Sequence, residues 1–105
     1  MVDSEQAMKL KDYRADLIQK LKDPDYAAEY LAAVLAEQDQ AAFLIALKDV
    51  VEAGGGMGVL SKRAGLTRPS LYKVLSRKGN PTFETLRAIL EPLGLRITVT
   101  TASPA

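Results

Sequence analysis

Apolar residues recur at helical spacing along most of this chain, and strict alternation takes over only after Gly94. The opening stretch, Met1 to Leu10, is polar and predicts a frayed start. From Asp12 to Leu21, Tyr13, Leu17, Ile18 and Leu21 fall on one side of a short helix. Lys22-Asp23-Pro24-Asp25 breaks it. There Asp23 offers a cap and Pro24 suits a first helical position, where no N–H is needed. The next helix, to about Glu37, carries Tyr26, Ala27, Tyr30, Leu31, Val34 and Leu35 on its apolar face. Asp39 caps a third, with Phe43, Leu44, Leu47, Val50 and Val51 before Gly54. Two short helices then meet at Gly65-Leu66-Thr67. Thr82 caps a last helix through about Glu91, whose buried face is Phe83, Leu86, Ile89 and Leu90. Pro92 distorts its final turn and Gly94 ends it.

The alternation from Leu95 to Thr101, rich in β-branched residues, predicts a strand. A lone strand leaves its ladder groups unpaired, so it calls for a partner from a second copy or from another protein's sheet edge. The rival is a monomer with a disordered tail. The expected architecture is thus all-α, with a short C-terminal β-strand. At 105 residues the length suits one domain, 1–105. Within it we distinguish a helical extension over 1–38, a core over 39–94, and a strand over 95–101 that serves as a dimer element.

The stretch from Gly56 to Gly79 organises the rest. Leu60 and Ala64 share one face of its first helix, and Leu71, Val74 and Leu75 one face of the second. Leu66 plugs the corner between them, and Ser61 is small where the two backbones approach. Gly65 stands where the first helix must stop in a left-handed conformation. Thr67 caps the second helix, and Arg68, Pro69 and Ser70 form its first turn. This is the pattern of a helix-turn-helix, whose second helix enters the DNA major groove.

Charge changes the picture in the same direction. From Gly54 to Phe83 the chain holds Lys62, Arg63, Arg68, Lys73, Arg77 and Lys78 and no acid. Met1 to Ala53 holds eleven acids against six bases, so a formal net charge of +1 conceals an acidic front and a basic middle. An ordinary helical hairpin with a solvated basic face is the alternative. It does not account for plug, cap and missing acids together.

On the second helix, Arg68, Pro69, Ser70, Tyr72 and Lys73 face outward as candidate base readers. Arg68 suits a bidentate contact to guanine, and Pro69 suits a thymine methyl. Tyr72 has an equal rival role, packing its ring on the preceding helix. Lys62, Arg63, Thr67, Arg77, Lys78, Asn80 and Thr82 are candidate DNA-backbone contacts, which set register without reading sequence. Arg87 reads as a solvated charge. One module makes few contacts, so a homodimer through Leu95, Ile97 and Val99 is expected on a pseudo-palindromic operator, with recognition helices about 34 Å apart.

Several function classes drop out. The chain has no histidine and no cysteine. Its carboxylates and lysines are spread along helices, with no base set near a nucleophile and no metal-ligand cluster, so neither an enzyme nor a metal or other cofactor is expected. Gly54-Gly55-Gly56 and Gly58 lack the Gly-Lys-Ser/Thr ending and preceding strand of a phosphate loop. No apolar run approaches a membrane span and the start does not resemble a signal peptide, so a cytoplasmic protein is expected.

The run Gly65 to Ser76, then Gly79-Asn80-Pro81 and Leu93 to Leu95, resembles the HigA-like addiction-module antidotes. These are antitoxins with a phage-repressor-type, Xre-like helix-turn-helix. Their hallmark is Gly-Leu-Ser/Thr-Arg-x-Ser-Leu-Tyr-x-x-Leu-Ser followed by Gly-Asn-Pro. Leu21 to Leu31 matches as well, and the resemblance covers roughly Leu21 to Val99. Departures are Gly58, where the family often has a capping Ser or Thr; Pro69, at an often polar position; and Pro92. The resemblance implies a lambda-repressor-like bundle and a cognate RelE/ParE-like toxin, often a ribosome-dependent ribonuclease. It implies that the chain neutralises that toxin and represses their shared promoter. The acidic front half is the candidate toxin-binding part, with helix capping and solvation as the competing role for those acids. A stand-alone phage-type regulator and a protein–protein adaptor remain as rivals, the latter leaving the acid-free segment unexplained.

Overall fold

The computed structural model describes residues 3–103. Their regular structure is helical: α1 (Ser4–Lys20), α2 (Pro24–Ala36), α3 (Gln40–Ala53), α4 (Met57–Ala64), α5 (Arg68–Val74), α6 (Phe83–Leu90) and a 3₁₀ turn, Glu91–Leu93. Five of the six α-helices start on a side chain that satisfies an otherwise orphaned N–H. Asp3, Asp23, Asp39, Thr67 and Thr82 accept from the backbone of Gln6, Asp25, Ala42, Ser70 and Thr85. The exception is α4, whose cap position is Gly56.

Helix α3, which lies against α1, α2 and α4, supplies more core side chains than any other element. It buries Leu44, Ala46, Leu47, Val50 and Val51. Leu31 joins them from α2, Met57 and Leu60 from α4, Leu71 from α5, and Ile89 and Leu90 from α6. The expected faces hold at these positions, to which Ala46 and Met57 are additions, and fail at four others. Tyr13, Tyr26, Leu35 and Phe83 are exposed. Phe83 opens α6, one turn ahead of the residues that reach the core, so it projects beside the body.

The first helix is longer than its hydrophobic pattern predicts. Met1 and Val2 lie outside the described residues, but from Ser4 the expected frayed start is helical. The Asp3 cap and the pairs Glu5–Lys9 (3.6 Å) and Asp16–Lys20 (3.0 Å) support it without burial. No residue of α1 is buried, and only Leu17 and Ile18 are half-buried. Arg14 ties it to α3, its Nη2 reaching Asp49 Oδ1 at 3.0 Å and Glu52 Oε2 at 2.5 Å. With Arg14 half-exposed, solvent screening limits such pairs to about 1 kcal/mol or less each.

The predicted C-terminal strand is not present: Leu95 to Thr101 form no ladder. A strand is defined by its neighbour, and no segment of the described chain lies alongside to supply one. The alternation encodes a propensity, not a partner. Upstream, α6 stops at Leu90, one residue short of the expected end. Pro92 is accommodated in the 3₁₀ turn, which Gly94 closes at φ 78°. Leu95 N–H then returns to Leu90 O at 3.0 Å.

Gly79 locks the body to the end of α5. It is buried, its carbonyl accepts from Gln40 Nε2 of α3 at 2.9 Å, and a Cβ there would run into the Val74 carbonyl. Because backbone rather than a flexible side chain is in the way, Gly79→Ala is expected to cost about 1–3 kcal/mol. Urea unfolding with an unchanged midpoint would contradict this packing.

Candidate nucleic-acid interface

Three successive glycines end α3 and start α4. Gly54 closes α3, and Gly55 (φ 114°) and Gly56 (φ 92°) take conformations that side chains disfavour. Gly56 N–H returns to Val51 O at 2.9 Å, so the glycines form a helix stop and re-entry. Helix α4 then buries Met57 and Leu60, which anchor it to the core.

The corner between α4 and α5 is built on Ser61. Its carbonyl accepts the N–H of Gly65 at 3.1 Å and of Leu66 at 3.2 Å, while Gly65 turns left-handed at φ 69°. The Ser61 hydroxyl donates back to the Leu66 carbonyl. Leu66 is half-buried as the plug, and Thr67 Oγ1 accepts Ser70 N–H at 3.2 Å. Small size alone identifies Ser61 in the sequence; the hydrogen bonds across the corner are additional.

Burial of Leu71 and Leu75 turns the opposite face of α5 outward. Arg68, Pro69, Ser70, Tyr72 and Lys73 are exposed on this short helix. Lys62, Arg63, Thr67, Arg77, Lys78, Asn80 and Thr82 are exposed too. The helix stops at Val74 rather than near Arg77, so Arg77 and Lys78 sit in the turn that follows. There Ser76 Oγ donates to Lys73 O at 2.9 Å, and Gly79 N–H to Ser76 O at 2.9 Å. Among the described residues none of Lys62, Arg63, Arg68, Lys73, Arg77 and Lys78 is paired with a carboxylate. These are cations whose charge is satisfied only by solvent or by an outside partner.

Tyr72 is exposed and makes a contact that the sequence does not anticipate. It is 54% exposed, yet Lys48 Nζ of α3 sits 5.6 Å from its ring centroid, within cation–π range. Lys48 thereby joins the basic face. No local signal in the sequence marks it, because it stands in the acidic front half and only the packing of α3 beside α5 brings it near. Arg87 lies off this face and pairs with Glu91 of its own segment at 3.4 Å. Leu95 is half-buried, Ile97 38% exposed and Val99 94% exposed, so the tail leaves the body progressively.

No group of Asp and Glu among the described residues could hold a metal ion. An apolar groove of about 380 Å³ lies between α2, α3 and α6, lined by Leu35, Phe43, Leu44, Pro81 and Leu86. Its one carboxylate, Asp39, already caps α3. Among the described residues no helix is long and apolar enough to cross a membrane.

The corner has a direct test. Ser61→Ala removes the hydroxyl that holds the Leu66 carbonyl, and is expected to lower stability by about 1 kcal/mol. Thermal unfolding that matches the native protein would show that the Gly65 turn alone sets the corner.

The profile of a family described as "Probable addiction module antidote protein" matches residues 11–101. An uncharacterised protein of Haemophilus influenzae is 36% identical over 90 residues, covering 86% of this chain and 90% of its own length. No solved structure is a significant match.

Proposed function

The chain belongs to the family of probable addiction module antidote proteins, and from that footing we propose that it is a DNA-binding antitoxin. It neutralises a RelE/ParE-like toxin and represses its own operon through a helix-turn-helix made of α4 and α5. The family points to a regulatory rather than a catalytic protein with a toxin as partner. One observation carries the DNA reading: the exposed face of α5 and its flanks hold six cations without a carboxylate partner. Phosphates supply the missing charge, and the groove edges of bases supply acceptors for Arg68 and Lys73.

Roles divide by position. Arg68, Pro69, Ser70, Tyr72 and Lys73 read bases from α5. Lys62, Arg63, Thr67, Arg77, Lys78, Asn80 and Thr82 hold the two DNA backbones. A homodimer presents two such faces to a pseudo-palindrome. Its interface is built on Leu95, Ile97 and Val99, with exposed Phe83 beside Leu95 and Ile97. The surrounding charges, Glu84, Arg87, Glu91 and Arg96, balance one another and suit a face that meets its own copy. The acidic helices at the front attract a basic toxin and cover its RNA-binding surface.

Two measurements test this division. Arg68→Ala is expected to weaken operator binding by about 1–3 kcal/mol and relax preference at one base position. Lys78→Ala is expected to weaken all sequences alike and flatten the salt dependence. Equal effects from the two substitutions would refute separate readers and holders. Deleting residues from Arg96 onward is expected to leave a folded monomer with weak DNA affinity, and light scattering that still finds a dimer would exclude the C-terminal patch.

A further inference from the structure

Glycine at position 58 has no backbone explanation. It lies in the first turn of α4, and its φ is outside the left-handed region, unlike those of Gly55, Gly56, Gly65 and Gly94. Alanine would serve the helix better, since glycine there loses more chain entropy on folding. The space left by the missing side chain is nevertheless filled. A Cβ at Gly58 would overlap Nη2 of Arg68 and stand 3.1 Å from its Cζ and 3.4 Å from its Nε. The guanidinium of the first residue of α5 therefore rests against the bare backbone of α4, across the corner.

Nη2 is the atom nearest that point, with Cζ and Nε behind it, so the Nη2 end of the guanidinium lies over the backbone of α4. The Arg68 side chain has no hydrogen bond and no ion pair among the described residues. Its five N–H groups remain unspent. Val59, Lys62 and Tyr72 line the rest of the recess. Lys62 adds a second cation, and the uncapped start of α4 adds the positive end of a helix dipole, so no protein group competes for the donors. A long side chain that is free in solution loses much rotamer entropy when it is fixed on a ligand. One already seated on a flat surface loses less, and its fork is aimed before the ligand arrives.

We propose that Gly58 is a specificity-determining residue: by lacking a side chain it braces the Arg68 guanidinium in one orientation, so that Arg68 discriminates bases rather than only adding charge. The inference rests on the DNA-binding reading above and adds to it a residue that touches no DNA. Any side chain at position 58 lifts the guanidinium off α4. The charge of the face is unchanged by this, so general DNA affinity is retained while discrimination is lost.

The test compares the native chain, Gly58→Ala, Arg68→Ala and the double variant; alanine is compatible with the helix at 58, and far-UV circular dichroism checks folding. In the DNA-free protein, the ¹⁵N–¹H NOE at Arg68 Nε is expected to report an ordered side chain natively and one as mobile as Arg77 in Gly58→Ala. Equal order in the two proteins overturns the brace without any reference to DNA. The second readout is the base preference recovered from a pool of duplexes randomised over about two helical turns. Gly58→Ala is expected to lose roughly tenfold of discrimination at the position that Arg68→Ala relaxes, with non-specific affinity and salt slope unchanged. The double variant is expected to match Arg68→Ala alone. Additive losses, or full discrimination in Gly58→Ala, overturn the inference and leave the DNA reading standing. A native protein that selects no sequence overturns the reading itself.

Discussion

The carbonyl of Ser61 receives two backbone N–H groups at once, from Gly65 and Leu66, and the geometry of α4 and α5 follows from that. Two donors can converge on one acceptor only if the chain turns left-handed at Gly65 and comes straight back. The return aims Leu66 inward and places Thr67 where its hydroxyl starts the next helix. Once α5 begins there, Leu71 and Leu75 meet the core and Arg68, Tyr72 and Lys73 face away. The direction in which the basic side chains point is thus a consequence of backbone hydrogen bonding at a corner several residues away.

The body holds that corner in place through apolar contact on one side and few polar ties on the other. Helix α3 supplies the wall on which α1, α2 and α4 rest. Gln40 at its start reaches the Gly79 carbonyl and so fixes the exit from α5 as well. By contrast α1 is attached through Arg14, Leu17, Ile18 and the Leu21 that follows it. An attachment that buries so little is the cheapest in the molecule to open. The basic corner is anchored through the buried Leu60 and Leu71; the first helix, with three acids and four bases, is held mainly toward its C-terminal end.

Charge segregation gains meaning from this arrangement. Among the described residues the cations of the corner form no ion pair, although the front half carries eleven acids. Those acids are used in place, as caps at Asp3, Asp23 and Asp39 and as partners to Lys9, Arg14 and Lys20. Local pairing engages part of the front's acids and leaves that half with a net negative charge, while the cations of the corner stay unpaired. Lys48 extends the same face from α3 and rests on the Tyr72 ring.

Caps, glycine stops and the spacing of leucines are local, so the order of helices and the outward set on α5 are legible from residues alone. Thr67, Thr82 and Asp39 announce helix starts because a cap acts within three residues, and Gly65 announces a stop because its left-handed conformation favours a residue without a Cβ. Local signals fail where the outcome depends on a neighbour distant in the chain. The alternation after Gly94 is strand-like, yet nothing lies beside it to complete a ladder, and Phe83 has the right spacing but no wall to meet. Polar composition at the start conceals a helix that side-chain pairs and a cap sustain without a core. Gly58 beneath Arg68 and Lys48 over Tyr72 join residues from different helices. Such pairs exist only once the core has set the distance between those helices, because propensity acts over a few residues while contact is made in space.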